Sequence, residues 1–448
     1  MKILIIGNGF DLQHGLPMKY TDFLKQVKTF SLYILRNRFI DAIEQGDMGN
    51  ELFVDAFRRN NMQDELRTAL KQCKINMNDK IIDTLDNSKI FSLYINESIK
   101  QNSIKDKFFD TLKQNNIKDK FINTLKQNNM SEFIDALDQN DMKNEFSEIV
   151  SNNAWLAYFI QQYENGVLKG ENWIDFEREI SDVIADFERQ FLEDHKISIN
   201  YKNNNFYIHL TNAFRSSNEK IVFAKDENDI NIFYIIDETL SAFLEFLYEE
   251  LRELTRAFEI YCICTANRKN IPLFPLKEQT FDCVLSFNFT NTYEALYGKE
   301  GIKYCYINGL AQKDSSSTNM VFGIDDNLYS DKENTEFAFI NFKKYFQRIV
   351  FKTGSEYLSW PKDPKDEVFI VGHSMDKTDH EILKEFFCRE KPPEIKIFHH
   401  DQASNINLVK RTFEIIGKEE LKSRVYGTSR NIIFINQYDE KDGLFEKR

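Results

Sequence analysis

Two glycines separated by one asparagine follow the first apolar run of the chain. Gly7-Asn8-Gly9 comes directly after Lys2–Ile6 and precedes a helical pattern. In such a turn the first glycine permits a tight reversal, and the second lets the backbone approach a phosphate at a helix N-terminus. Leu12 occupies the third position of the dinucleotide-binding glycine pattern, so the match is incomplete. The turn predicts phosphate binding, with a simple tight turn as the alternative.

Three other polar turns also follow apolar runs. They are Ser286–Glu294 with Asn288 and Thr290, Tyr306–Gly309 with Asn308, and Gly372-His373-Ser374 with Asp376, Thr378 and Asp379. Ligands of open α/β sheets lie beyond the carboxyl ends of the strands, so we expect these turns to form one site. His14 either faces the ligand or caps a helix, and His373 either lines the site or is structural. The candidate site residues are Gly7, Asn8, Gly9, Phe10, Asp11, His14, Gly15, Asn288, Thr290, Asn308, Gly309, Gly372, His373, Ser374 and Asp376.

Short apolar runs alternate with helical patterns in the C-terminal part of the chain. The expected strands are 281–287, 302–307, 320–323, 367–372, 394–398 and 431–435, and the expected helices are 334–352, 376–389 and 404–422. This alternation predicts a doubly wound, mostly parallel sheet, and Lys2–Ile6 is expected to join it. The predicted fold is therefore an α/β, Rossmann-like sheet with a large all-helical insertion.

The insertion divides into two predicted parts. Residues 31–148 contain a degenerate repeat whose clearest copies begin at Phe108, Phe121 and Phe133, with weaker copies near Phe39, Phe53, Leu66 and Ile81. Each copy fits a short helix and an Asn-rich turn, and fewer, longer helices are the alternative. The repeats are either a spacer or a surface for oligomerisation or a partner. Residues 149–269 are predicted to be a helical subdomain over the site, and 1–30 with 270–448 to form the nucleotide-binding domain.

Composition excludes several classes of protein. The formal net charge of −13 argues against a general nucleic-acid binder, which needs a basic face. No apolar run is long enough for a transmembrane helix, so we expect no membrane insertion. The 6 cysteines form no Cys-x-x-Cys pair, which favours reduced thiols in the cytoplasm over a metal site.

Several of these motifs together resemble the AbiH-type bacteriophage abortive-infection family. The segments that carry the resemblance are Gly7–Pro17, Asn172–Glu177, Asn288–Glu294, Gly372–Ser374 with Asp376, and Phe398–Asp401. That family in turn is similar to sirtuin-like domains, which bind NAD on a Rossmann-type sheet. The resemblance implies catalytic positions at Asn308, Asn288 and Asp11, and contacts to NAD or ADP-ribose from the other candidate residues. Thr290 stands where sirtuins have an aspartate.

Asn308-Gly309 falls on the sirtuin-like catalytic His-Gly. Asparagine keeps hydrogen bonding but cannot take a proton near neutral pH. The site is therefore silent, uses another base, or is an engineered inactive form. The resemblance implies an effector that hydrolyses the nicotinamide–ribose bond of NAD when position 308 is histidine. The alternatives are a non-catalytic NAD or ADP-ribose sensor and, ranked last, a Mg²⁺-dependent transferase that uses Asp11 and Asp376.

Overall fold

Six short strands form one parallel sheet. The computed structural model describes residues 1–45, 130–164, 166, 174–194, 196–200, 222–225, 231–266, 279–313, 318–324, 339–360, 362–428 and 430–445. The strands are β1 Lys2–Ile6, β5 Cys283–Ser286, β6 Lys303–Tyr306, β7 Glu367–Val371, β8 Glu394–His399 and β9 Ile432–Asn436. Their order is β6-β5-β1-β7-β8-β9, and every neighbouring pair is parallel. The prediction of an α/β fold with a parallel sheet is confirmed.

The order of this sheet reverses beside β1. Counted within the sheet alone it is 3-2-1-4-5-6, an order found in doubly wound dinucleotide-binding sheets. Within this sheet the chain passes from β1 to β5 and β6 on one side of β1. It then crosses to the other side and forms β7, β8 and β9. The switch point therefore lies between β1 and β7. All six strands are parallel, so their carboxyl ends meet along one edge of the sheet.

Both faces of the sheet are buried, which explains why β1 is apolar throughout. Ile3 and Ile5 pack into one core cluster, whereas Leu4 and Ile6 pack into the cluster on the opposite face. Ile5 pairs with both Leu285 and Ile370 at the centre of the sheet. Burying a side chain of this kind stabilises the fold by about 1.5–3 kcal/mol.

The connecting helices are shorter than their patterns suggested. They are α8 Thr292–Tyr297, α9 Lys344–Phe351, α10 His380–Phe387, α11 Gln402–Ile416 and α12 Lys418–Tyr426, with 3₁₀ turns at Ile340–Phe342, Glu356–Ser359 and Lys377–Asp379. The helical stretch expected over 404–422 consists of two helices, because Gly417 at φ 80° ends α11 before α12 begins. The expected strand 320–323 is also wrong, since that segment forms only an isolated bridge from Ile324 to Lys343.

The region predicted as an all-helical subdomain contains a second sheet, so that prediction is corrected. Its helices are α5 Ala154–Glu164, α6 Ile174–Asp194 and α7 Asp237–Ala266, and its strands are β2 Lys196–Asn200, β3 Val222–Lys225 and β4 Asn231–Ile236. The strands are antiparallel in the order β2-β4-β3. Lys196–Asn200 alternates polar and apolar residues, the period of a strand, and Asn231–Ile236 is rich in β-branched and aromatic residues. α7 begins at Asp237, directly after β4.

The chain has two compact units, Met1–Phe23 with Asn152–Arg448, and Leu24–Ser151. The three predicted domain boundaries remain a prediction. The second unit includes α3 Met130–Gln139, most of α4 Lys143–Asn152 and most of α2 Tyr20–Gln45. In the parts of the chain described above, no helix combines the length and hydrophobicity needed to cross a membrane.

One repeat copy can be compared with its prediction. The copy that begins at Phe133 forms α3, turns at Asp141 with φ 56°, and leads into α4. Phe30, Phe133 and Phe146 pack edge to face inside this unit. The segment near Phe39 belongs to the long helix α2. The copies near Phe53, Leu66, Ile81, Phe108 and Phe121 lie outside the described residues.

Candidate functional site

A cavity of about 1040 Å³ lies along the carboxyl edge of the parallel sheet. Every strand of the parallel sheet contributes to its lining, through Gly7 after β1, Phe287 after β5, Asn308 after β6, Gly372 after β7, His399 at the end of β8 and Gln437 after β9. Strands in a sheet lie about 4.8 Å apart, so the lined edge from β6 to β9 is roughly 24 Å long. The four predicted polar turns thus meet at one place, and the cavity crosses the switch point.

The glycines of the first turn allow two loops to touch. The Gly9 amide donates to the Gly372 carbonyl over 2.8 Å, and a Cβ at Gly9 would lie 2.8 Å from that oxygen. A Cβ at Gly7 would lie 2.8 Å from the Cα of His373. Gly372 itself has a φ of +62°. The close approach that requires these glycines is therefore between the β1 and β7 turns, and the Gly9 amide is already bonded.

Asn308 is held from both ends of its amide. Its Oδ1 accepts from Nη2 of Arg348 over 3.1 Å, and its Nδ2 donates to the Phe287 carbonyl over 3.2 Å. The side chain is buried and lines the cavity. Gly309 follows with a φ of +79°, and a Cβ there would lie 2.3 Å from the Asn319 carbonyl oxygen. The turn therefore presents a fixed amide, which is a hydrogen-bonding group and not a base.

Four charged side chains gather beside Asn308. Glu177 comes from α6, Lys344 and Arg348 lie one turn apart on α9, and Asp379 ends a 3₁₀ turn. The Lys344 Nζ lies 2.5 Å from Oε1 of Glu177. Burial raises the pKa of Glu177 and of Asp379, while the charges of Lys344 and Arg348 lower both pKa values. Buried carboxylates with a perturbed pKa in a cleft are typical of functional sites.

His373 is a neutral hydrogen-bond donor at this place. Its Nδ1 accepts from the Met375 amide over 2.8 Å, so the ring proton is on Nε2, which lies 3.4 Å from Oδ2 of Asp379. Burial lowers the pKa of His373 to about 3, with Asp376 raising it and His380 and Lys344 lowering it further. A ring whose one lone pair is already bonded to an amide has no nitrogen left to act as a general base.

Asp11 and Thr290 lie behind the cavity wall. The Thr290 hydroxyl donates to Oδ2 of Asp11 over 2.5 Å and is 2.9 Å from the Thr292 hydroxyl. Burial raises the pKa of Asp11 to about 6, while the polar side chains of Thr290, Thr292 and Asn288 beside it lower the pKa. Asn288 is buried, and neither of its terminal side-chain atoms forms a hydrogen bond.

His14 supports the first turn from inside the core. Its Nδ1 donates to the Phe10 carbonyl over 2.7 Å, so its Nε2 accepts from the Tyr297 hydroxyl, also over 2.7 Å. Burial lowers the pKa of His14. Phe10 is fully buried in the core cluster, and Gly15 has a φ of 75°. This histidine is a satisfied core residue outside the cavity lining.

The predicted site residues therefore form two groups, those that line the cavity and those that lie behind its lining. Those that line the cavity are Gly7, Asn8, Gly9, Asn308, Gly372, His373, Ser374 and Asp376. Those outside the lining are Phe10, Asp11, His14, Gly15, Asn288, Thr290 and Gly309. Sequence reasoning missed Lys344, Arg348 and Arg411, and it assigned no role to Glu177. Arg411 pairs with Asp376 and, at 2.9 Å, with Glu414.

Two signals could have found the missed residues. Lys344 and Arg348 are four apart in an expected helix, which places both on one face. Glu177 belongs to the Asn172–Glu177 motif of the family resemblance, and its side chain reaches the cavity.

Comparison with known families identifies the chain. A family model described as bacteriophage abortive infection AbiH matches residues 3–401. The chain belongs to the AbiH family. No curated protein and no solved structure matches it. The AbiH match includes Glu177, Asn308, Lys344 and His373, and it ends before α11 and β9, which complete the far end of the cavity.

Proposed function

We propose that this AbiH-family protein acts in phage abortive infection by binding NAD in the cavity at the carboxyl edge of the sheet. The family carries the abortive-infection role. The observation that supports the ligand is the position of the cavity, which crosses the switch point between β1 and β7 and extends past the ends of all six strands. Doubly wound sheets bind dinucleotides across such a crevice.

The two ends of the cavity differ in chemistry, as the two halves of a dinucleotide do. The β5–β6 end carries Asn308 and the charged cluster, with Phe287, Phe289 and Phe322 as apolar walls. In this proposal it takes the nicotinamide ribose. The β8–β9 end carries polar and basic side chains and takes the adenosine half. The residues of that end are His399, His400, Ser404, Asn407, Lys410, Arg411, Gln437 and Tyr438.

The middle of the cavity takes the pyrophosphate in this arrangement. Asn8 and Ser374 line it from the β1 and β7 turns, which are locked together by the Gly9–Gly372 hydrogen bond. Because the two contacting residues are glycines, the backbone of these turns is held in place and no side chain projects from the contact into the cavity. Asn8 and Ser374 then supply neutral hydrogen-bonding groups, a common complement to phosphate oxygens.

Hydrolysis of the nicotinamide–ribose bond is the proposed activity when position 308 is histidine. Asn308 donates to Phe287, and a neutral imidazole can reproduce that contact through its N–H group. The cationic neighbour Arg348 would keep such an imidazole neutral. The second imidazole nitrogen takes a proton once it no longer accepts from Arg348, as Asn308 does here. The second candidate is a non-catalytic NAD sensor, which is favoured by the Asn308 amide, since it is held at both ends and cannot act as a base.

Nicotinamide release from NAD tests the activity. The variants are Asn308→His and, as the matched control, Asn308→Gln, which changes size without adding a base. The proposal expects at least about tenfold faster release for Asn308→His than for Asn308→Gln, since a positioned base contributes 10²–10⁴-fold in typical enzymes. NAD binding by both variants with no release from either would favour the sensor. Absence of NAD binding would contradict both.

A further inference from the structure

We propose that Glu177 is the general base of this cavity, so that the chain with asparagine at position 308 hydrolyses NAD itself. This inference rests on the proposed function and adds a catalytic residue to it. Glu177 lines the cavity with its side chain 15% exposed, and α6 brings it from outside the parallel sheet. Glu177 therefore faces the ligand from a helix, whereas the predicted site residues face it from the turns after the strands.

The histidines and Asp379 are poorer candidates. His373 has its Nδ1 bonded to the Met375 amide, so its Nε2 carries the proton. Oδ2 of Asp379 lies 3.4 Å from that Nε2, which places this carboxylate against the β7 turn. His400 is 65% exposed at the far end of the cavity, near the proposed adenosine half. Neither of these histidines presents a free lone pair at the Asn308 end.

Two other carboxylates that line the cavity are held by Arg411. Asp376 pairs with Arg411 and also accepts from the Lys377 amide over 2.7 Å. Glu414 is 2.9 Å from the same arginine. Arg411 belongs to α11, so both of these carboxylates are held on the α11 side of the cavity. Glu177 instead interacts electrostatically with Lys344, Arg348 and Asp379. Of the described lining residues, Glu177 best combines position with capacity to accept a proton.

The surroundings of Glu177 suit a base. Lys344 contacts Oε1, which orients the carboxylate and assigns proton transfer to Oε2. Burial raises the pKa of Glu177, and the neighbouring Asp379 raises it further, against the opposing effect of Lys344 and Arg348. A carboxylate of raised pKa is a stronger proton acceptor near neutral pH than an ordinary glutamate.

The step is a hydrolysis at the anomeric carbon of the nicotinamide ribose. The oxygen of a water bonds to this carbon as the carbon–nitrogen bond breaks, and the electron pair of that bond goes to the ring nitrogen, giving neutral nicotinamide. The proton of the water passes to Oε2 of Glu177 and then to solvent. The products are nicotinamide, ADP-ribose and one proton, so atoms and charge balance. No further reactant is needed.

Glu177→Gln in the full chain, with asparagine kept at position 308, tests the assignment. The matched control is Asp182→Asn, the same acid-to-amide change on an exposed position of α6. NAD affinity is measured by titration calorimetry and nicotinamide release by chromatography. We expect Glu177→Gln to reduce kcat by at least about 100-fold, with the dissociation constant for NAD changed less than about threefold. Asp182→Asn should match the unaltered chain in both.

Two outcomes overturn the assignment while leaving NAD binding intact. One is an unaltered chain that binds NAD and releases no nicotinamide. The other is a Glu177→Gln chain whose release stays within about threefold of the control. Failure of the unaltered chain to bind NAD removes the proposed function instead, and the inference with it.

Glu177→Gln leaves Lys344 without its carboxylate, so Glu177→Gln with Lys344→Gln is the second variant if the single one does not fold. It must show the same loss of kcat.

Discussion

Asp11→Asn should make the stability of the sheet-containing unit less dependent on pH. Asp11 is 1% exposed, and burial raises its pKa from 3.8 to about 6. Because the folded-state pKa lies above the unfolded one, the contribution of Asp11 to stability is fully present below about pH 4. It is lost as pH rises through about 6. The difference of about 2.2 pH units corresponds to about 3 kcal/mol at pH 7.

The assay is urea unfolding followed by tryptophan fluorescence at pH 4 to 7. The tryptophans are Trp155, Trp173 and Trp360, and all 3 belong to the unit of Met1–Phe23 with Asn152–Arg448, so the signal reports that unit. We expect the free energy of unfolding of Asp11→Asn, relative to the unaltered chain, to increase by about 2 kcal/mol between pH 4 and pH 7, because part of the effect is already present at pH 4. Other titrating groups cancel in this difference.

Asp182→Asn is the control, because Asp182 is exposed. The difference in free energy of unfolding between Asp182→Asn and the unaltered chain should not increase in the same way between pH 4 and pH 7. A difference for Asp11→Asn that stays constant within about 0.5 kcal/mol over this range would refute the reasoning. It would mean that solvent or a cation compensates the buried carboxylate.

Two further substitutions test the packing of the site. Gly9→Ala should lower the free energy of unfolding by about 1–3 kcal/mol in the same urea assay, because its Cβ would meet Gly372 backbone atoms at 2.8–2.9 Å; an unchanged midpoint would mean that the two turns can separate freely. Ile5→Ala should cost about 2–5 kcal/mol and Ile5→Val about 0.5–1.5 kcal/mol, because Ile5 is fully buried between β5 and β7; equal effects of the two substitutions would contradict this packing.

Much of the sheet could be predicted because local pattern and final environment agree. Lys2–Ile6 and Glu367–Val371 are apolar runs with glycine after them, and they became neighbouring strands buried on both faces. Because Asn308 and Gly372 each follow a parallel strand, their positions predicted that both would lie at the carboxyl edge of the sheet, where both line the cavity. The antiparallel strands Lys196–Asn200 and Asn231–Ile236 were missed because each is short and adjoins a strong helical pattern, which dominated the interpretation.

The charged cluster was missed for a different reason. Glu177 and Lys344 are brought together by tertiary packing, and neither segment alone indicates a partner in the other. The role of Asp11 was also beyond sequence reasoning. A polar residue three positions after Asn8 can face either a ligand or the core, and only the hydrogen bond from Thr290 decides between them.

Calorimetric titration of the full chain with NAD measures directly whether the cavity at the carboxyl edge of the sheet binds this dinucleotide. The paired variants are Ser374→Trp, which fills the cavity beside β7, and Lys377→Trp, which adds the same bulk at an exposed position outside the lining. We expect one NAD site per chain, loss of at least about tenfold in affinity for Ser374→Trp, and unchanged affinity for Lys377→Trp. No NAD binding by the unaltered chain, or equal affinities for the two tryptophan variants, would contradict this expectation.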